Sequence, residues 1–262
     1  MLQLDGLIID MDGVLWRGSE PMPGLDSFFD TLRDCAMPFV LATNNSTSSV
    51  EQYVDKLAGF GLQVPAERIV TSAYATADYL LGQAEPGAPV YMVGEEGLRA
   101  ALKSRGFRLT AEGAQFVVAG LDRGLTYEKV AIAMRLIENG ARFIGTNADR
   151  TLPTPDGLRP GAGTVLAAIA TASGVEPFVV GKPEPLMIQQ ALRILGTAAQ
   201  HTAMVGDRLE TDILAGKKAG IRTILVLTGV ARREDLADSE IQPDWVLDDI
   251  RALSAALSQD AN

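Results

Sequence analysis

The chain has 262 residues and a formal net charge of -10, from 23 Lys+Arg against 33 Asp+Glu. That acidity argues against general nucleic-acid or membrane-surface binding, which needs clustered positive charge; no apolar run approaches the roughly 20 residues of a membrane helix. The single cysteine, Cys35, cannot form an internal disulfide and suits a reducing cytoplasm, and Met1-Leu2-Gln3-Leu4-Asp5 lacks a signal-peptide pattern.

Short apolar runs alternate with amphipathic segments throughout, the pattern of an α/β protein with a mostly parallel sheet. Leu7-Ile8-Ile9 reads as a buried strand, followed by Phe39-Val40-Leu41. Ser48 with Glu51 suggests a capping box that opens a helix through Val54 and Leu57, closed by Gly59 and Gly61. The middle of the chain repeats the alternation. Pro89-Val90-Tyr91-Met92-Val93, Phe116-Val117-Val118-Ala119 and Arg142-Phe143-Ile144-Gly145 read as strands, with helices through Leu98-Leu102 and from Thr126 to Glu138. Turn-rich stretches at Gln83–Gly87 and Ser173–Pro177 bracket this block and read as two linkers. Phe178-Val179-Val180, Ala203-Met204-Val205 and Thr223-Ile224-Leu225-Val226 are the later strands, and a helix is expected from about Glu210 to Ala219.

The rare residues narrow the chemistry. One histidine, His201, cannot build a two-histidine phosphatase, and it reads as a surface residue. Neither Lys182 nor Lys217 stands in a P-loop, and Cys35 lacks the arginine of a cysteine-phosphatase loop. Carboxylates therefore carry the expected chemistry.

Four motifs follow predicted strands, where open α/β sheets place ligand sites. Asp10-Met11-Asp12-Gly13-Val14 puts two carboxylates beside a sharp turn, a pattern also compatible with a solvated acidic loop. Thr43-Asn44-Asn45-Ser46 offers a hydroxyl and backbone N–H groups to an anion, or else simply starts a helix. Gly181-Lys182-Pro183 supplies a point charge. Gly206-Asp207-Arg208-Leu209-Glu210-Thr211-Asp212 adds carboxylates that could join Asp10 around Mg²⁺, which takes only one or two protein carboxylates and keeps several waters.

In this order the four motifs resemble the haloacid dehalogenase (HAD) superfamily of phosphohydrolases, over Asp10 to Asp212. The insertion between the second and third motifs is similar to the α/β cap of the NagD-like branch, which includes 4-nitrophenyl phosphatases. The resemblance implies a three-layer Rossmann-like core with a parallel sheet plus a smaller inserted α/β cap: residues 1–81 and 178–262 as a discontinuous core, and 82–177 as the cap.

It also implies roles. Asp10 is the expected nucleophile, forming an aspartyl-phosphate, and Asp12 the acid that protonates the leaving oxygen and then activates water. The side chains of Asp10 and Asp207 and the carbonyl of Asp12 are expected to hold Mg²⁺, with Asp212 fixing a metal-bound water. Thr43, Asn44, Asn45 and Lys182 are expected to bind the phosphoryl group; Arg208 either adds to that positive charge or is an exposed arginine neutral to catalysis. The cap would close over the site. Its stretch Thr146-Asn147-Ala148-Asp149, continuing through Pro155-Asp156-Gly157, either reads the leaving group or is an ordinary loop with Asn147 and Asp149 as turn formers. Trp16 and Arg17 either contact the cap or pack locally.

The function implied is a cytoplasmic, Mg²⁺-dependent phosphatase for small phosphate monoesters, with no nucleic-acid or membrane partner. The family resemblance is compatible with a homodimer through the cap. A mutase, a receiver-like signalling domain and a non-catalytic phosphate sensor are the alternatives; the length, the cap-sized insertion and Asp12 weigh against the signalling domain.

Overall fold

Leu7-Ile8-Ile9, Val40-Leu41, Ala203-Met204-Val205 and Ile224-Leu225-Val226 are completely shielded from solvent. Continuous apolar runs of this kind suit parallel strands covered on both faces. In the computed structural model, which describes residues 2–154 and 157–260, they form the centre of a six-stranded sheet. Its order is Trp245–Leu247, Arg222–Val226, Thr202–Gly206, Gly6–Ile9, Phe39–Thr43, Ile69–Thr71. Gly6–Ile9 pairs in parallel with Thr202–Gly206 on one side and Phe39–Thr43 on the other.

This order reverses at Gly6–Ile9. The chain steps one way to Phe39–Thr43 and Ile69–Thr71, and the other way from Thr202–Gly206 to Arg222–Val226 and Trp245–Leu247. Right-handed crossovers then put the helices of the two halves on opposite faces. Leu25–Asp34 packs with Ile250–Asp260 in one layer, while Leu186–Leu195 packs with Leu214–Ala219 in the other. A crevice opens at such a reversal, beyond the carboxyl ends of the central strands. Asp10 and Asp207 are the residues that immediately follow those ends.

The chain divides into two compact units. The first comprises the described residues of Met1–Thr43, Tyr53–Val70 and Lys182–Asn262; the second comprises Asn44–Gln52 and Thr71–Gly181. The second unit therefore takes in the helix Ser72–Leu81 as well as the middle block. Its five-stranded parallel sheet runs Phe178–Val179, Arg142–Gly145, Phe116–Ala119, Pro89–Val93, Arg108–Leu109. Val117, Ala119, Phe143, Leu166 and Ile169 form its core. An antiparallel hairpin pairs Thr151–Thr154 with Gly157–Pro160. The turn expected at Pro155 and Asp156 lies outside the described residues. Among the described residues, no helix is long and apolar enough to cross a membrane.

Three local expectations are corrected. The strand before Lys182, Phe178–Val179, joins the second unit's sheet and not the one that carries Asp10. The capping box is one residue later than expected: Ser49 N–H donates to Gln52 Oε1 at 2.9 Å and Gln52 N–H to Ser49 Oγ at 3.4 Å, opening the helix Val50–Gly59. The segment after Asp207 starts as a π-type turn, Leu209–Ile213, in which Ile213 N–H reaches Arg208 O at 3.2 Å, before the α-helix Leu214–Ala219. Such widened turns recur at functional sites.

Asp244 joins the sheet edge together. Its Oδ2 accepts Thr223 N–H at 2.9 Å, Thr223 Oγ1 at 2.7 Å and Lys217 Nζ at 2.9 Å, and its Oδ1 accepts Arg222 at 3.2 Å. Partial burial raises this carboxyl, but the Thr223 hydroxyl and the two cations outweigh it and bring the pKa from 3.8 down to about 2. A folded-state pKa below the unfolded one adds stability above the unfolded value, and that stability disappears as pH falls through the folded value. Because this group is partly solvent-screened, Asp244→Asn should therefore cost only about 1 kcal/mol in urea unfolding at neutral pH. The gap to the parent protein should close between about pH 4 and pH 2; a gap independent of pH would refute the electrostatic account.

Candidate active site

The first unit buries four charged side chains together. Asp10 follows the strand Gly6–Ile9, its N–H donating to Val205 O at 2.8 Å, and Asp207 follows Thr202–Gly206. Asp212 comes from the π-type turn, whose extra residue per turn shifts its side chain relative to a regular helix. Lys182 enters from the segment after Gly181. Only 2% of Lys182, 2% of Asp207 and 1% of Asp212 is exposed.

Lys182 Nζ donates to Asp10 Oδ1 and Asp212 Oδ1, both at 2.6 Å, and to Ala42 O at 3.2 Å. The ammonium's three protons thus have three acceptors. Burial alone would lower this lysine's pKa, but the two carboxylates raise it above the ordinary lysine range, so it stays charged. Asp212 is engaged at both oxygens, since Oδ2 accepts the Arg208 N–H at 3.1 Å. Asp212 anchors Lys182, and the Arg208 backbone anchors Asp212. The charge of the Arg208 side chain pulls Asp207 downward.

Asp207 is held by a segment that sequence reading passed over. Its Oδ2 accepts Val230 N–H at 2.8 Å, and its backbone oxygen accepts Ala231 N–H at 2.9 Å. Gly229 makes this approach possible: a Cβ there would lie 1.8 Å from Asp207 Oδ2. Gly13, at φ +87°, is the matching close approach from the first motif, where a Cβ would lie 2.6 Å from the same oxygen. A Thr-Gly pair after a strand is the only sequence signal for the Gly229 turn.

The balance of charge is incomplete. Carboxylate oxygens of Asp10, Asp207 and Asp212 lie within 4.8 Å of one another, against one ammonium. Burial, together with repulsion from Asp212 and Asp207, pushes Asp10 well above the usual carboxylate range against the pull of Lys182. Burial and Asp212 raise Asp207 to about 7 despite the Val230 N–H. A divalent cation would favour the ionised form of both. Asp10 and Asp207 have the hard oxygen donors that Mg²⁺ prefers, so the residues present fit that ion.

The other expected residues fall into two groups. Thr43 is buried at the end of its strand in the first unit, next to Ala42, whose carbonyl receives Lys182. Asp12 is exposed, and its Oδ1 accepts the Trp16 indole N–H at 2.8 Å. Asn44 and Asn45 belong to the second unit. Asn45 Oδ1 accepts the N–H and hydroxyl of Thr47 at 2.9 and 2.7 Å, forming a turn within its own segment. Asn44 lies in a buried polar network: its Nδ2 donates to Asp149 Oδ1 at 3.0 Å, while its carbonyl accepts Asn147 Nδ2 at 2.7 Å and Ser72 Oγ at 2.5 Å. Asn147 Oδ1 accepts the Asp149 N–H at 3.2 Å. Asn147 and Asp149 thus fasten the Asn44 segment within the second unit. Trp16 packs against Tyr53 and Phe60 within the first unit.

Known proteins place this geometry. The haloacid dehalogenase-like hydrolase family matches residues 7–108, and a HAD-hydrolase-like family matches residues 179–253. The chain is 42% identical over 245 residues to 5'-nucleotidase YutF of Bacillus subtilis, covering 94% of this chain and 95% of that protein. It is 41% identical over 260 residues to acid sugar phosphatase of Staphylococcus aureus, covering 99% and 100%. Among solved structures it resembles p-nitrophenyl phosphatase from Archaeoglobus fulgidus, with a TM-score of 0.92 and 35% identity over 97% of this chain and 99% of that one. NagD from E. coli K-12 gives a TM-score of 0.86 and 37% identity over 95% and 97%. A magnesium complex of glycerol phosphate phosphatase from Mycobacterium tuberculosis gives 0.90 and 35% over 97% and 78%. The chain belongs to the haloacid dehalogenase-like hydrolases, in the branch of NagD and the p-nitrophenyl phosphatases, and is a phosphoric monoester hydrolase.

Proposed function

We propose that this enzyme is a cytoplasmic, Mg²⁺-dependent phosphatase for small phosphate monoesters that works through an aspartyl-phosphate. The observation that carries the reading is the buried Asp10–Lys182–Asp212 arrangement beside Asp207. Lys182 takes one oxygen of Asp10, which leaves the other to attack phosphorus. Asp10 and Asp207, with the backbone carbonyl of Asp12, are the groups that would hold Mg²⁺. When bound, that ion supplies the positive charge that phosphoryl oxygens and a buried carboxylate need in common.

In the first step an Asp10 oxygen forms a bond to phosphorus while the bond from phosphorus to the leaving oxygen breaks. Asp12 gives its proton to that oxygen, and the alcohol departs. In the second step water attacks the phosphoryl group and Asp12 takes its proton. The phosphorus–Asp10 bond breaks, inorganic phosphate is released and both carboxyl groups are restored. Lys182 stays charged throughout and balances negative charge near Asp10. Thr43 and the Asn44 N–H are assigned to the phosphoryl oxygens. Substrates are sought among nucleoside monophosphates, sugar phosphates, glycerol phosphate, phosphoglycolate and pyridoxal phosphate, with 4-nitrophenyl phosphate as a chromogenic ester. The names of the nucleotidase, sugar phosphatase and glycerol phosphate phosphatase relatives favour this range.

Phosphate release from this panel should stop with EDTA and return with excess Mg²⁺. Full activity in EDTA would remove the metal from the scheme, and an isomer in place of inorganic phosphate would mark a mutase. Asp10→Asn should lower turnover by at least about a thousandfold while keeping the native circular dichroism spectrum; wild-type-like turnover would take the nucleophile role from Asp10. Asp12→Asn should let a phosphoenzyme accumulate from 4-nitrophenyl phosphate, detected by acid quench and intact-mass measurement as one added phosphoryl group. Steady slow turnover without that species would contradict the two-step route.

A further inference from the structure

Trp16 has no exposed surface, yet it touches an exposed carboxylate of the first motif. Its indole N–H reaches Asp12 Oδ1 at 2.8 Å. Asp12 Oδ2 accepts no hydrogen bond from any described residue. An exposed carboxylate with two rotatable bonds would otherwise sample several rotamers, so a single bond from a buried donor decides where it points.

The donor itself is fixed from several sides. The Trp16 ring stacks on Tyr53, with centroids 6.3 Å apart and planes 20° from parallel, and meets Phe60 at 5.9 Å. The Lys56 ammonium lies 4.1 Å from the ring centroid and also donates to Gly18 O at 2.8 Å. A cation on the face of an indole draws electron density from the ring and strengthens its N–H as a donor. The backbone closes the same turn in both directions: Trp16 N–H donates to Met11 O at 3.3 Å, and Gly13 N–H to Trp16 O at 2.8 Å. Thr228 Oγ1 adds a bond to Gly13 O at 2.7 Å, and Arg17 donates to Thr228 O.

We propose that Trp16 is a positioning residue for the acid/base Asp12, holding Oδ1 so that Oδ2 is the oxygen that exchanges the proton. The inference rests on the role given to Asp12 above. An N–H donor serves both halves of the reaction equally. Oδ1 accepts it as the carbonyl oxygen of a carboxylic acid before leaving-group protonation and as a carboxylate oxygen afterwards. Asp12 can therefore give a proton to the leaving oxygen and take one from water without releasing its anchor. Geometry held through both steps is what general acid–base catalysis requires.

The experiment separates leaving groups. Glycerol phosphate releases an alkoxide that needs a proton, whereas 4-nitrophenolate leaves without one. Two changes remove the donor: Trp16→Phe, and benzothienylalanine placed at position 16 by stop-codon suppression, which keeps the ring's shape and loses only the N–H. Both should lower kcat/KM for glycerol phosphate by about tenfold or more and leave kcat/KM for 4-nitrophenyl phosphate within about twofold of wild type. The aryl ester should also show a burst of one 4-nitrophenolate per site, because the second step still needs Asp12. Phe60→Leu, which loosens the same packing and keeps the N–H, should affect the two esters by one common factor. A common factor in the benzothienylalanine protein, or no change in it, overturns the proposal for Trp16. If Asp12→Asn itself fails to discriminate between the esters, the acid/base reading of Asp12 fails first, and Trp16 with it.

Discussion

A lysine with 2% of its surface exposed, shared between Asp10 and Asp212, is the constraint on which the centre of this enzyme depends. An unpaired buried charge is very costly, so such groups persist only when paired and hydrogen-bonded. All three Lys182 protons are satisfied, and Asp212 is satisfied in turn by the Arg208 amide. The pairing joins the segment after Gly181, the strand end at Ala42, the first motif and the π-type turn. Removing Lys182 would leave Asp10 and Asp212 buried as like charges without their shared cation, and much more than one contact would be lost.

The same arrangement separates two tasks that carboxylates can perform. Asp212 gives each oxygen to a protein donor, Lys182 and the Arg208 amide. Asp10 spends one, and Asp207 is gripped by the Val230 amide. The oxygens left over belong to the residues raised by burial, Asp10 and Asp207. Excess negative charge in a water-poor crevice creates a demand for a cation, and a phosphate ester arriving at a molecule of net charge -10 increases that demand. Local positive charge has to be concentrated at the site because the surface as a whole repels the substrate.

Much of this was legible from residue order. Strands buried on both faces leave unbroken apolar runs, so Leu7-Ile8-Ile9 and Ala203-Met204-Val205 announced themselves and drew attention to Asp10 and Asp207 at their ends. Sheet membership was not legible for Phe178-Val179, because a short apolar run carries no record of its pairing partner, and these residues joined Arg142–Gly145. Neighbouring serines and neighbouring Glu51 and Gln52 satisfy the capping pattern equally well, and only the backbone path selected Ser49 with Gln52. Asn147 and Asp149 had two readings because a side-chain amide looks the same whether it faces a ligand or its own chain. Their bonds to Asn44 show only in the folded backbone. The Trp16 contact was hidden for a related reason: an aromatic residue after an acidic motif signals burial, while its N–H shows only in geometry.

The grip on Asp207 comes from main-chain amides, and this affects how the protein can vary. The side chain at position 230 takes no part in that bond, so any residue that keeps its N–H preserves it, and only proline would remove the donor. Position 229 is the reverse: it contributes no polar group at all, yet even a methyl group there would collide with the carboxylate. Surveys of side-chain chemistry would pass over both positions. A designer diversifying the loop after Val226 can therefore treat residue 230 as open and residue 229 as closed.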